Sequence, residues 1–359
     1  MIDKLADRPV KGRGAAINPK PRFDQLGQEP FDDGWDSLAL ILEEEGRPET
    51  EVSPDRSRSV IAKNQSPDIP FDQSINPYRG CEHGCIYCYA RPSHAFLGLS
   101  PGLDFETKLW AKHDAAELLV KELARPNYRC SSIALGANTD PYQPIERKLR
   151  ITRKILEVLA RHDHPLTIVT KSAAVTRDID ILAPMAAKGL AAVALSITTL
   201  DPVLSRKMEP RAAAPHRRLD ALRQLADADI PTVVMVAPII PGLTDHETEA
   251  IMEAAAEAGA WWATYTLLRM PHEIKELFRN WLLHHEPLKA ERVLSLHRQC
   301  RGGRLNDPRF GHRMRGEGTY AELIAKRFML ARKKHGLNRK VPSLRKDIFK
   351  KPGDQLRLL

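Results

Sequence analysis

Three cysteines fall within eight residues, Cys81, Cys85 and Cys88 in NPYRGCEHGCIYCYARPSH, and are the side chains here best spaced to act together. Thiolates on one compact loop can face a single [4Fe-4S] cubane and ligate three of its irons. The fourth iron then keeps an open position, the feature that separates a reactive metal from a structural one. Gly80 and Gly84 permit the left-handed turns such a loop requires. Structural zinc is the alternative, with His83 as fourth ligand, since thiolate and imidazole both suit that ion. Structural zinc sites draw their ligands as separated pairs, and no second Cys-x-x-Cys occurs in the chain. Five cysteines, clustered and odd in number, do not make a disulfide framework and fit a reducing, cytoplasmic compartment. Cys130 and Cys300 read as lone thiols.

The elements that must position this loop follow from periodicity. Short β-like runs occur at Ser132–Gly136, Leu166–Thr170, Ala192–Ile197, Thr232–Ala237 and Trp262–Leu268, with one further strand before Cys81. Helical patterns lie between and after them at Ala115–Ala124, Arg153–Arg161, Asp178–Lys188, His216–Ala228 and Glu247–Ala258. Gly189 and Gly259 stand where helices end, and Thr176 and Asp245 where N-caps belong. Strand followed by helix, six times over, predicts a parallel α/β sheet curved into a partial (β/α)6 barrel; an open doubly wound sheet is the runner-up. Three regions are expected. Residues 1–70 form an N-terminal extension, mostly disordered or wrapped on the surface, whose one apolar stretch is Leu38–Leu42. Residues 71–270 form the barrel. Residues 271–359 form a helical, basic C-terminal region with helices at Glu273–His284 and Ala321–Lys333.

The cysteine spacing, with Tyr87 just before the last thiol and the loop after the first β-like run, resembles the signature of the radical S-adenosylmethionine (SAM) superfamily. The phrases GANTDPYQPIE, VTKS, SITT, MEPR, MVAPIIPGLTD and RGGRLNDPRFGHRMRGEG are similar to the spore photoproduct lyase branch and its photolyase-like relatives. The resemblance runs from roughly residue 11 to 350. It implies a radical SAM barrel, a [4Fe-4S] cluster on Cys81, Cys85 and Cys88, and SAM chelated to the open iron. It further implies reductive cleavage of SAM to methionine and a 5′-deoxyadenosyl radical, with an electron donor such as flavodoxin or ferredoxin. In spore photoproduct lyase a cysteine near the end of the second strand returns a hydrogen atom to the product. The matching stretch here is Ala137-Asn138-Thr139, without a thiol, so that repair reaction is not implied.

In a parallel barrel, ligands sit at the C-terminal ends of the strands. Asn138, Thr139 and Asp140 follow the second strand; Asp140 suits the amino group of SAM and Thr139 its carboxylate, unless TDP is only a turn. Lys171 ends the third strand and suits the same carboxylate. Ser196 and Thr198 end the fourth and suit ribose or carboxylate. Ile240 and Gly242 follow the fifth as a wall for adenine, or as loop punctuation. Glu209 and Arg211 in MEPR rank lower.

A formal charge of +9 points toward a polyanionic partner. Arg301, Arg304, Arg309, Arg313 and Arg315 crowd one glycine-rich segment, and Lys326–Lys351 holds eleven Lys or Arg against the single acid Asp347. That region reads as a surface for nucleic-acid phosphates or as solvated helix faces. No apolar run approaches the ~20 residues of a membrane span, so no membrane partner is expected. Three functions compete: a radical SAM enzyme on nucleic acid, one on a peptide or small molecule, and a non-enzymatic zinc-bearing nucleic-acid-binding protein.

Overall fold

Side-chain alternation decides how the strands are used. In a computed structural model, which describes residues 9–23, 49–339 and 343–353, ten strands are seen. They are β1 (Glu51–Pro54), β2 (Ile61–Lys63), β3 (Gln73–Ile75), β4 (Tyr78–Arg79), β5 (Lys108–Ala111), β6 (Ile133–Leu135), β7 (Leu166–Thr170), β8 (Ala191–Ser196), β9 (Thr232–Ile239) and β10 (Trp262–Leu267). The main sheet runs β10-β9-β8-β7-β6-β3-β2, parallel from β10 to β3, with β2 antiparallel at the edge. The six expected strands are these six parallel ones. Leu166, Ile168, Val193, Leu195, Val234 and Val236 are buried in the main core. Thr167, Val169, Ala192, Ala194 and Val233 face the other way and line a cavity of about 360 Å³ with Trp262.

The covering helices are α1 (Ala115–Leu123), α2 (Ile151–Arg161), α3 (Ile179–Ala187), α4 (Pro202–Met208), α5 (Pro215–Asp227) and α6 (Thr248–Glu257). In α2, Ile151, Ile155, Leu156 and Leu159 recur at helical spacing and all are buried. Gly189 and Gly259 take the left-handed conformation expected of them. The expected N-caps differ. Thr176 lies inside a 3₁₀ turn, and the Asp245 carboxylate accepts from the Gly242 N–H and the Tyr320 hydroxyl. Neither caps its helix; among the described residues the side chains that do cap are Ser172 and Asp201.

The flanking regions are part of the body. In the N-terminal region, residues 9–23 and 49–70 are described and wrap the barrel, while Leu38–Leu42 lies outside the described residues. β2 joins the main sheet, and β1 pairs with β5 in a small sheet, β1-β5-β4. After β10, helices α7 (Ile274–His285), α8 (Ala290–Gln299) and α9 (Thr319–Lys334) follow. A second core joins α7 and α8 to Cys85, Ile86, Tyr87, Met208 and Ile240. The C-terminal helices therefore support the cysteine loop. No helix among the described residues is long and apolar enough to cross a membrane.

Candidate cluster and cofactor site

The chain leaves β3, forms β4 and turns through Gly80 into the loop from Cys81 to Cys88. Cys81 and Cys85 are buried, Cys88 is half-buried, and all three are free thiols. Backbone bonds fix the loop: Cys81 N–H to the Phe105 carbonyl at 2.9 Å, Ile86 N–H to Met208 at 3.0 Å, and Cys88 N–H to Cys85 at 3.1 Å. Gly84 has φ +67°, and a Cβ there would stand 2.7 Å from the Glu106 carboxylate. Only glycine serves at that point.

Behind the loop lies a fully buried ion pair that was not singled out from the sequence. Arg91 donates to the carbonyls of Gly84 (3.0 Å), Cys85 (2.8 Å), Pro101 (3.2 Å) and Gly102 (2.8 Å), and pairs with Glu106. Glu106 also accepts the N–H groups of Gly14 and Ala15, each at 2.9 Å. Residues 12–16 (GRGAA) thus form a strap across the cysteine loop, held at Gly14 and Ala15 by one carboxylate.

The thiols suit a cluster better than a single ion. Tetrahedral zinc with 2.3 Å bonds would hold its sulfurs about 3.8 Å apart. Among the described residues, the one set of three or more metal-type ligand atoms within 4.8 Å is Asp307, His312 and Glu317, and the cysteines are not in it. That set is an ion-pair cluster, since Arg309 pairs with Asp307 at 2.7 Å and Glu317 at 2.8 Å. His83, the fourth zinc ligand of the alternative reading, instead turns its Nδ1 to Asp140 at 3.3 Å. Burial, then Asp140 and the neighbouring thiols, pushes Cys81 well up, and burial with Glu209 does the same to Cys85. Such thiols ionise readily only when a metal displaces their protons.

The strand-end residues separate into engaged and available groups. Asp140 accepts from Tyr142 N–H (2.9 Å), Thr170 Oγ1 (2.7 Å) and Lys171 N–H (2.7 Å), besides His83. Burial works against its charge, yet His83 and these donors hold the carboxyl down at about 2. Thr139 is buried, its hydroxyl donating to the Tyr78 carbonyl at 2.8 Å, while Asn138 is exposed. Lys171 reaches Ser196 Oγ at 3.1 Å and lies 5.7 Å from the Tyr87 ring centre. Ser196 donates to the Ala237 carbonyl at 2.8 Å. Lys171, Ser196, Thr198 and Tyr87 therefore come together beside the thiols. Ile240 and Gly242 do not join them. Ile240 is wholly buried in the second core, and a Cβ on Gly242 would meet Leu296 of α8 at 2.9 Å. These two, expected as a wall for adenine, pack toward the second core and α8, where the glycine makes room for the helix.

Residues 75–255 match the sequence profile of the radical SAM superfamily, half of the chain. The chain belongs to the radical SAM superfamily. An uncharacterised protein of Mycobacterium tuberculosis is 36% identical over 233 residues, 64% of this chain and 68% of its own length. One of Methanocaldococcus jannaschii is 30% identical over 173 residues, 48% of this chain and 62% of its own. Among solved structures, a single-site variant of spore photoproduct lyase superposes with a TM-score of 0.56 at 16% identity, covering 80% of this chain and 79% of that one. Spore photoproduct lyase complexed with a dinucleoside spore photoproduct gives 0.54 at 17%, covering 79% and 78%. These two likenesses show a shared fold. The chain is a radical SAM enzyme, and membership implies, for the family, a [4Fe-4S] cluster and SAM.

In this radical SAM chain the low-ranked MEPR segment proves central. Glu209 is buried and binds the Tyr87 hydroxyl, Thr198 Oγ1 (2.8 Å) and the buried guanidinium of Arg218. Arg218 also donates to the carbonyls of Ala213 (2.7 Å) and Ser196 (2.9 Å). Tyr87 and the end of β8 are thereby locked to one another. Arg211 pairs with Glu82 at 3.0 Å, on the outer side of the loop. There a cleft of about 600 Å³ is lined by Lys11, Arg13, Lys148 and Arg211 against Glu49 and Glu82.

The C-terminal basic run is largely engaged in the fold. Arg301 is buried and donates to the carbonyls of Leu267, Leu268, His312 and Arg313. Arg313 pairs with Asp68, Arg327 with Glu249, Arg345 with Asp347 and Lys350 with Asp163. Of the five crowded arginines, Arg304 and Arg315 are exposed and form no such pair among the described residues.

Proposed function

We propose that Cys81, Cys85 and Cys88 hold a [4Fe-4S] cluster and that Tyr87, Lys171, Ser196 and Thr198 bound the SAM site. When bound, the cluster supplies the electron that cleaves SAM to methionine and a 5′-deoxyadenosyl radical, which takes hydrogen from a substrate. Three free thiols on one compact, largely buried loop, the number that leaves one iron of a cubane open, carry this reading. Lys171 offers its ammonium to the SAM carboxylate. Asn138 stands exposed at the rim. Asp140 and Thr139 act on this site through the loop, holding His83 and Tyr78. Glu209 and Arg218 keep Tyr87 in place. The electron comes from a small acidic carrier such as flavodoxin or ferredoxin, to which the four cations of the outer cleft are complementary. Nucleic acid remains a proposed partner through Arg304, Arg315 and the exposed lysines of α9. A reducing cytoplasm suits the free thiols.

The deciding experiment is anaerobic reconstitution. About four irons per chain are expected, with most of the iron lost on replacing any one of the three cysteines by Ala. The reduced wild-type protein should release 5′-deoxyadenosine from SAM. Stoichiometric zinc with no iron uptake overturns the reading.

A further inference from the structure

At the C-terminal end of β10, Arg269 is a half-buried guanidinium that makes no direct ion pair among the described residues. Its Nε is buried with no hydrogen-bond partner among the described residues, and its Nη1 donates to the Met314 sulfur at 3.6 Å. Among the described residues it forms no ion pair: the nearby Asp68 carboxylate is taken by Arg313 and the Gly311 N–H. Burial, then Arg313, lowers the affinity of Arg269 for its proton. A charged group left unpaired in a half-buried place costs stability unless a ligand completes it.

The surroundings make this a built position. The two residues before Arg269 are clamped: Arg301 holds the carbonyls of Leu267 (3.2 Å) and Leu268 (2.6 Å). The Leu267 N–H donates to the Met314 carbonyl at 2.9 Å and the Leu268 N–H to Ile239 at 2.9 Å. The guanidinium carbon lies 5.7 Å from the ring centre of Tyr89, next in sequence to Cys88 and half exposed. The Tyr89 hydroxyl bonds the Ala137 carbonyl, just past β6. One tyrosine thus touches the ends of β6 and β10, so the curved sheet brings these across the barrel mouth beside the cysteine loop.

We propose that Arg269 is the docking point for an oxyanion, phosphate or carboxylate, carried by the substrate, with the Tyr89 ring as the adjoining wall. This rests on the radical SAM reading and adds the chemical class of the substrate. A guanidinium presents a fork that fits two oxygens of either group. The anion lies beside Cys88, so the remainder of the substrate extends into the mouth where Lys171 and Tyr87 stand. The SAM carboxylate is assigned to Lys171, just past β7.

The test uses reconstituted holoprotein, with inorganic phosphate, phenyl phosphate and benzoate as probes in calorimetry. Wild-type protein should bind phenyl phosphate or benzoate more tightly than the neutral benzyl alcohol. Losing one charge-assisted contact in Arg269→Gln should weaken the anionic probes about tenfold or more. Tyr89→Ala should weaken phenyl phosphate more than inorganic phosphate. Phenyl phosphate set against benzoate tells which oxyanion is preferred. Should Arg269→Gln fail to fold, Arg269→Lys, which keeps the charge and loses the fork, should still show weaker probe binding. Iron content and SAM affinity, measured on the same preparations, should stay at wild-type values. Equal probe binding by wild type and both Arg269 variants overturns the proposal, as does a tenfold loss of SAM affinity with unchanged probe binding. Absence of iron and of SAM cleavage in the wild type would refute the underlying enzyme reading separately.

Discussion

The Arg91–Glu106 pair makes the radical SAM loop depend on one carboxylate, and Glu106→Gln tests this. Both side chains are fully buried, and the two Glu106 oxygens face three donors: Arg91, Gly14 N–H and Ala15 N–H. A glutamine of the same shape has one acceptor oxygen and must turn its NH2 toward a donor. The neighbouring guanidinium also loses its counter-charge. Breaking a buried pair from one side costs roughly 3–5 kcal/mol. Arg91 keeps four carbonyl acceptors, which places this case at the lower end, about 3 kcal/mol. Against a total stability on the order of 5–15 kcal/mol that is a large fraction. The loss should appear in urea unfolding of iron-free protein, where cluster binding does not contribute. The strap and the Gly84–Cys85 carbonyls share this pair, so the variant should also retain less iron and be cut by protease near Arg13. Stability within about 1 kcal/mol of wild type, with full iron content, would show that the loop does not rely on the pair.

Lys171→Ala should weaken SAM binding about tenfold while leaving iron content unchanged, because the Lys171 ammonium hydrogen-bonds Ser196 rather than a group of the loop. Lys11→Glu with Lys148→Glu should slow SAM cleavage driven by an acidic carrier protein, and leave cleavage driven by dithionite as in wild type. Burial lowers His164 and His297 from 6.5 to about 4. Between those values the unfolded chain binds more protons, so stability falls as pH falls through this window. The loss should reach about 2 kcal/mol per histidine at pH 5, read as a falling thermal midpoint of the iron-free protein. A midpoint flat from pH 6.5 to 5 would contradict it.

The barrel was legible because its signal is local and repeated. Leu166–Thr170 and Trp262–Leu267 are short β-branched and aromatic runs, and α2 shows its buried stripe in the bare sequence. The cysteine loop was legible because its chemistry sits within one turn of chain. What escaped was long-range. Arg91 and Glu106 lie fifteen residues apart and meet through a fold, with Gly14 supplied from the far end of the chain. Helix α8 has Ala290, Val293, Leu294 and His297 at helical spacing, but charges between them hid the stripe. The partners of the basic run were hidden for a related reason. Composition counts arginines without their partners, and Arg301, Arg309 and Arg313 meet carbonyls and carboxylates that only folding brings to them.

Counting donors and acceptors orders the strand-end residues more sharply than their position does. Asp140 uses both oxygens, each bound twice or more, and keeps little to offer an ammonium. Thr198 meets Glu209, Tyr87 and the Ala237 carbonyl. Ser196 accepts from Lys171 and donates to the same carbonyl. Lys171 alone in this group has donors to spare, since one of its three N–H bonds reaches Ser196. At the opposite side of the mouth, Arg269 is in the same position with its orphaned Nε. Two cations with unused donors, just past β7 and just past β10, thus flank the loop of three thiols. Carboxylates cluster behind the loop instead, where Glu106, Asp140 and Glu209 hold backbone and tyrosine. This division favours anionic groups on both ligands that meet at the barrel mouth: the carboxylate of SAM at Lys171 and the oxyanion of the substrate at Arg269.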